Sequence, residues 1–185
     1  MEFINRIDQL VVTFIDGNMR FPWMDKIIPV ITSMGGFLIW FIIAVVFMFF
    51  KKYRKYCIAI LITLAVCSIV GDLIIKNIVR RIRPCNVYDD LIMIVAKPST
   101  YSFPSGHSMK SFASAVIVSK ANKKFAVPSF ILAFATAFSR IYLYVHYFTD
   151  TVVGAILGII CSLCINKIFV ENTKTGEFFK KRYKF

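Results

Sequence analysis

Residues 27–50 read IIPVITSMGGFLIWFIIAVVFMFF, bounded by Lys26 and Lys51, with no charged side chain between them. A helix needs about 20 apolar residues to cross the hydrocarbon core of a bilayer, so this stretch predicts a membrane span. Working outward, Lys51, Lys52, Arg54 and Lys55 close it. Tyr56–Ile75 follows as a second span whose only charge is Asp72. After a loop from Pro84 to about Phe103 come a short third helix rich in Ser and Ala, Gly106–Ser119, and two further spans, Phe125–Tyr144 and Thr151–Val170. Upstream, Phe3, Ile4, Ile7, Leu10, Val11, Phe14 and Ile15 recur at intervals of three and four. That spacing predicts an amphipathic helix, lying in the interface or packed on the bundle. Gly17, Pro22 and Trp23 suggest a turn at headgroup level.

Composition agrees. The chain has 185 residues, 58% of them hydrophobic, and a mean hydropathy of +0.68, where an ordinary soluble domain is roughly 45–50% apolar. The expected fold class is all-α: a polytopic membrane helical bundle of about five transmembrane helices plus the N-terminal amphipathic helix. Its expected divisions are an amphipathic segment at 1–23, a membrane-embedded domain at 24–170 and a basic cytoplasmic tail at 171–185. The five cysteines form no disulfide framework, since Cys57, Cys67, Cys161 and Cys164 lie within apolar runs. Cys161-x-x-Cys164 has no His or second Cys pair with which to hold a metal. Gly154-x-x-x-Gly158 permits close helix packing.

The net charge of +13 does not point to nucleic acid, because the cations sit in short clusters between apolar runs. The 51–55 and 120–124 hairpins and the C-terminal tail carry the densest clusters, so the positive-inside rule assigns them to the cytoplasm. Lys76, Arg80, Arg81, Arg83, Lys110 and Arg140 then fall on the other face. Cations retained where topology disfavours them imply an anionic ligand.

Three segments on that face carry candidate chemistry. Lys76-Asn-Ile-Val-Arg-Arg-Ile-Arg83-Pro84 offers an ammonium and guanidinium forks, with Lys76, Arg80 and Arg83 on one face if the helix continues. Alone, this could be a patch for anionic headgroups. Asp72 reads as an ion-pair partner of Lys76. Pro104-Ser105-Gly106-His107 is a turn entering a helix, where free backbone N–H groups favour an anion. Ser139-Arg140-x5-His146-x3-Asp150 sets a carboxylate one helical turn from an imidazole, which would fix the tautomer and free the second nitrogen as a nucleophile. The chain has two histidines in all, and both fall here, beside Lys and Arg. Together these groups suit phosphoryl transfer without a metal or other cofactor; carboxylates are too few for a magnesium site.

In order, type and spacing these three parts resemble the signature of the type 2 phosphatidate phosphatase family, specifically its bacterial membrane lipid phosphatases. The resemblance covers Lys76 to Asp150 and implies a phosphohistidine mechanism. His146 would be the nucleophile, Asp150 its partner and His107 the general acid. Lys76, Arg83, Arg140, Ser105 and Gly106 would bind phosphate, with Arg81 in support. It implies a membrane lipid phosphate substrate (undecaprenyl diphosphate, phosphatidylglycerophosphate or phosphatidate), which the charge distribution would bring to the extracytoplasmic face. A non-catalytic protein that binds anionic lipid is the alternative; an anion transporter is less favoured, because no span carries a charge at its centre.

Overall fold

The computed structural model describes residues 2–88 and 90–171, so most of the expected basic tail lies outside the described residues. Eight α-helices, with no strand among the described residues, make the bundle: α1 (Glu2–Asn18), α2 (Pro22–Gly35), α3 (Leu38–Phe49), α4 (Arg54–Cys67), α5 (Lys76–Val79), α6 (Gly106–Ala121), α7 (Ala126–Tyr142) and α8 (Phe148–Ile165). A π-helical stretch, Ser68–Ile75, joins α4 to α5 without a break.

Among the described residues, Lys51–Asn86, Lys123–Tyr142 and Phe148–Glu171 are long and apolar enough to cross a membrane. The α2–α3 pair, bent by 49°, is long and apolar enough only when its two helices are taken together. Helix α6 is shorter, about 24 Å at 1.5 Å per residue, and lies at the centre, packed against α8, α7 and α4. The chain is thus a multi-pass membrane protein.

Three expectations are corrected or narrowed. The stretch 27–50 is not one straight helix: α2 begins at Pro22, after the expected break in the chain at residues 19–21, and the helix is interrupted at Gly35–Gly36. The carbonyl freed at Gly35 accepts hydrogen bonds from Ser111 Oγ at 2.7 Å and Thr136 Oγ1 at 3.4 Å. Ser111 Oγ in turn accepts from Trp40 Nε1 at 3.1 Å, so the carbonyl freed by the break is paired within the bundle. Second, α1 takes the packed one of its two expected placements, but the face it buries is not its most apolar stripe. Asp8, Val12 and Ile15 are buried, while Phe3, Leu10 and Phe14 face outward. Against lipid the apolar face can turn out, which frees the other for polar contacts. Third, α5 stops at Val79, because Arg80 is left-handed at φ 52°. Lys76, Arg80 and Arg83 therefore do not share a helix face.

The glycine pair in α8 works by contact. A Cβ at Gly154 would stand 2.6 Å from the Ser105 carbonyl, and one at Gly158 would overlap the Met109 carbonyl. Both glycines let α6 sit directly on α8. At the opposite end, Asn122 Nδ2 donates to Tyr53 Oη at 3.3 Å, bringing the two basic hairpins together.

Candidate active site

The three segments meet at one end of the bundle. After the left-handed turn at Arg80, Arg81–Arg83 run extended, and side chains alternate. Ile82 faces out at 59% exposure while Arg83 turns in at 3%. Ser102 N donates to the Arg81 carbonyl at 2.8 Å, tying the returning loop to this stretch.

Arg83 is the hub. Its Nε donates to the Thr100 carbonyl at 2.7 Å, Nη2 to Thr100 Oγ1 at 2.9 Å, and Nη1 to the Val145 carbonyl. Nη1 also stands 3.2 Å from His146 Nε2. A guanidinium only donates, so this contact requires a lone pair on Nε2. The proton then sits on Nδ1, which lies 3.7 Å from Asp150 Oδ2 and has no closer partner among the described residues. Burial, with Arg83 and Arg140 nearby, lowers the His146 pKa to about 3 despite the opposing pull of Asp150. The imidazole is therefore neutral.

His146 and Asp150 do not lie on one helical turn, as their spacing suggested. His146 belongs to the turn after α7, and α8 starts at Phe148. Asp150 is the third residue of α8, and its Oδ2 reaches back to accept from Tyr147 N at 3.0 Å. That cap carries the carboxylate to the imidazole. The turn is held by Tyr144, left-handed at φ 55°; its hydroxyl donates to Asp16 at 2.8 Å and its ring packs under the Arg20 guanidinium.

Ser105 caps α6, accepting from Ser108 N at 3.4 Å, and its own N–H donates to the Asp150 carbonyl at 3.0 Å. Gly106 lies against the Asp72 carboxylate. His107 is in the first turn, its ring edge over Gly36, where a Cβ would come within 2.5 Å. Lys76 is buried and bonded to Asp72 at 2.7 Å, as the spacing predicts, and Lys110 binds the other oxygen at 2.6 Å. Arg140 donates through Nη1 to Thr32 Oγ1 at 2.5 Å, leaving its buried Nε with no partner among the described residues.

Two of the sequence's cations are placed differently. Arg80 is exposed and donates to the Asn77 carbonyl at 2.9 Å. Arg81 spans two carboxylates, with Nη1 to Asp150 Oδ1 and Nη2 to Asp8 Oδ2, both at 2.6 Å. Sequence reasoning missed Asp8, Thr32, Gly36, Thr100 and Ser102. Of these, Asp8 carried a signal, since it falls in register with Val12 and Ile15; Lys110, already placed on this face by its charge, lies one turn beyond His107. Ser102, whose hydroxyl donates to Asp150 Oδ2, sits in a loop where spacing says nothing.

A family model for the PAP2 superfamily matches residues 52–174. The chain is 30% identical over 171 residues to the Phosphatidylglycerophosphatase B of Bacillus subtilis, spanning 84% of this chain and 80% of that protein. It is 26% identical over 136 residues to the Undecaprenyl-diphosphatase of Sulfolobus acidocaldarius, spanning 73% of this chain and 66% of that one. Its fold is similar to the crystal structure of a transmembrane PAP2-type phosphatidylglycerolphosphate phosphatase from Bacillus subtilis, with a TM-score of 0.75, 24% identity and coverage of 91% and 87% of the two chains. The chain belongs to the PAP2 superfamily. It is a membrane-embedded phosphatase of that superfamily.

Proposed function

We propose that the chain hydrolyses the phosphomonoester or terminal diphosphate of a membrane lipid through a phosphohistidine on His146. The observation that carries this reading is the pair of contacts on one ring, with Arg83 Nη1 at Nε2 and the Asp150 carboxylate on the Nδ1 side. With substrate bound, Arg83 turns from Nε2 to the phosphoryl oxygens, and His107 enters as the imidazolium beside the phosphate. The freed Nε2 lone pair attacks phosphorus, the bond to the lipid oxygen breaks, and His107 gives its proton to that oxygen. His107 then takes a proton from water as the water oxygen attacks the phosphohistidine, releasing inorganic phosphate and restoring both rings. Asp150 stabilises the positive charge that His146 acquires.

Arg83, Lys76 and Arg140, aided by the capped turn at Ser105 and Gly106, hold the phosphoryl oxygens. The free Nε of Arg140 is available for this purpose. Asp8, Asp72 and Asp150 are each bonded to a cation, which supports chemistry in which side-chain cations, with no metal ion, neutralise the phosphate.

Lipid is favoured as substrate because the buried cations border residues that face the bilayer. Lys76 and Arg83 are flanked by Ile78 at 74% exposure and Ile82 at 59%. A headgroup entering sideways keeps its tails in hydrocarbon. The basic hairpins at the far end support an extracytoplasmic site. Undecaprenyl diphosphate, phosphatidylglycerophosphate and phosphatidate are the candidates.

The test is phosphate release from these lipids in detergent with chelator present, comparing the wild type with His146→Asn. Turnover by the wild type alone supports the reading. Loss of wild-type activity in chelator, restored by a divalent metal, or equal turnover by both proteins contradicts it.

A further inference from the structure

Asp8 lies on α1, far in sequence from the motifs, yet it is 1% exposed and bonded to the site. Its Oδ1 accepts from Thr149 N at 2.9 Å, and its Oδ2 accepts from Thr149 Oγ1 and from Arg81 Nη2, each at 2.6 Å. Arg81 uses its other terminal nitrogen on Asp150 Oδ1 at 2.6 Å and on Thr149 Oγ1 at 2.9 Å. One guanidinium is thus shared between two carboxylates.

The consequence concerns Asp150 Oδ2, the oxygen that faces His146. An arginine with a single carboxylate partner favours a two-pronged fork over both oxygens. Here Asp8 holds one prong, so Arg81 takes only Oδ1. Oδ2 is left to Ser102 Oγ, Tyr147 N and the His146 ring. We infer that Asp8 is a positioning residue for the phosphatase reaction: it draws half of the Arg81 guanidinium away from Asp150 and so keeps Asp150 Oδ2 directed at His146.

Anchoring α1 does not by itself call for this arrangement. Val12 and Ile15 already dock the helix by apolar burial, and a buried ion pair is often no more stabilising than an apolar replacement. The charge of Asp8 matters through Arg81. The inference rests on His146 as the nucleophile.

The experiment compares Asp8→Asn, Asp8→Glu and Val12→Ala with the wild type, in full-length protein, below every unfolding transition. It measures kcat, KM and the melting temperature on whichever lipid phosphate the wild type turns over fastest. Asn keeps the shape and loses the charge; kcat is expected to fall about tenfold, the scale of one charge-assisted hydrogen bond, with KM within about twofold. Asp8→Glu recovers part of that loss. Val12→Ala lowers the melting temperature and leaves kcat unchanged. Wild-type kcat in Asp8→Asn overturns the inference, as does a kcat loss that Val12→Ala shares in proportion to its melting temperature. His146→Asn serves as the control: turnover in that variant overturns the nucleophile assignment, whatever Asp8→Asn does.

Discussion

The two ends of the bundle are built from the same helices by different means. Toward the basic hairpins, Trp40, Phe47, Ile60, Leu64, Phe112 and Ile117 form one apolar core, where shape decides the fit and one polar pair, Trp40 with Ser111, fixes register. At the site end, α1, α5, α6 and α8 meet through carboxylates and cations. Asp72 holds Lys76 and Lys110, while Arg81 joins Asp8 and Asp150. Apolar surface gains little by leaving lipid for protein, so packing alone positions groups loosely in a membrane. A charge pair fixes both distance and direction. Among the described residues the buried ion pairs lie where atoms must be aimed, and the remainder is left to packing.

Substitutions at the two ends should therefore differ in kind. The largest effect is expected at Asp150. Asp150→Asn keeps the size but cannot hold the His146 tautomer, and kcat should fall about 10³–10⁴-fold, the scale of the equivalent change in a serine protease triad. Phosphate release measured on folded protein, verified by circular dichroism, checks this; a loss under tenfold would remove Asp150 from the mechanism.

Gly36 comes next, since a Cβ there meets the His107 ring at 2.5 Å. Gly36→Ala should displace the ring and lower kcat about 10²-fold, the scale of a misplacement near 1 Å. Unchanged steady-state kinetics would show that the bend does not set His107.

The third effect is on stability. His146 titrates at about 3 in the folded protein against an ordinary 6.5. Below about pH 6.5 the unfolded chain binds a proton that the folded site refuses, so stability falls as pH drops from 6.5 toward 3 and does not vary with this group above. Melting temperature followed against pH should show that slope, and His146→Gln should flatten it. The smallest effect belongs to the apolar end: Ile60→Val should cost about 0.5–1.5 kcal/mol in unfolding and leave kcat untouched.

The same contrast explains what the sequence made legible. Uncharged runs marked the spans, because lipid solvates an apolar helix whatever its neighbours. Gly154 and Gly158 announced close packing, and the Lys76, His107 and His146 segments stood out as charge retained on the disfavoured face. Hydropathy could not show the bend, because Gly35 and Gly36 are apolar and their effect is realised only when Ser111 and His107 fill the gap. Arg80 reads as one more helical cation until its φ is known. Asp8 falls among the polar positions of an amphipathic helix, and spacing does not show which face packs; in a membrane the most apolar face can be the outer one.

The central claim is that a phosphoryl group passes through His146 Nε2. Radiolabelled lipid phosphate, mixed with the wild type and quenched within one turnover at alkaline pH to preserve an acid-labile phosphoramidate, tests it most directly. The account expects label on the peptide containing His146, absent from His146→Asn. Label on the peptide containing His107 instead, or full turnover with no labelled peptide at any quench time, would contradict it.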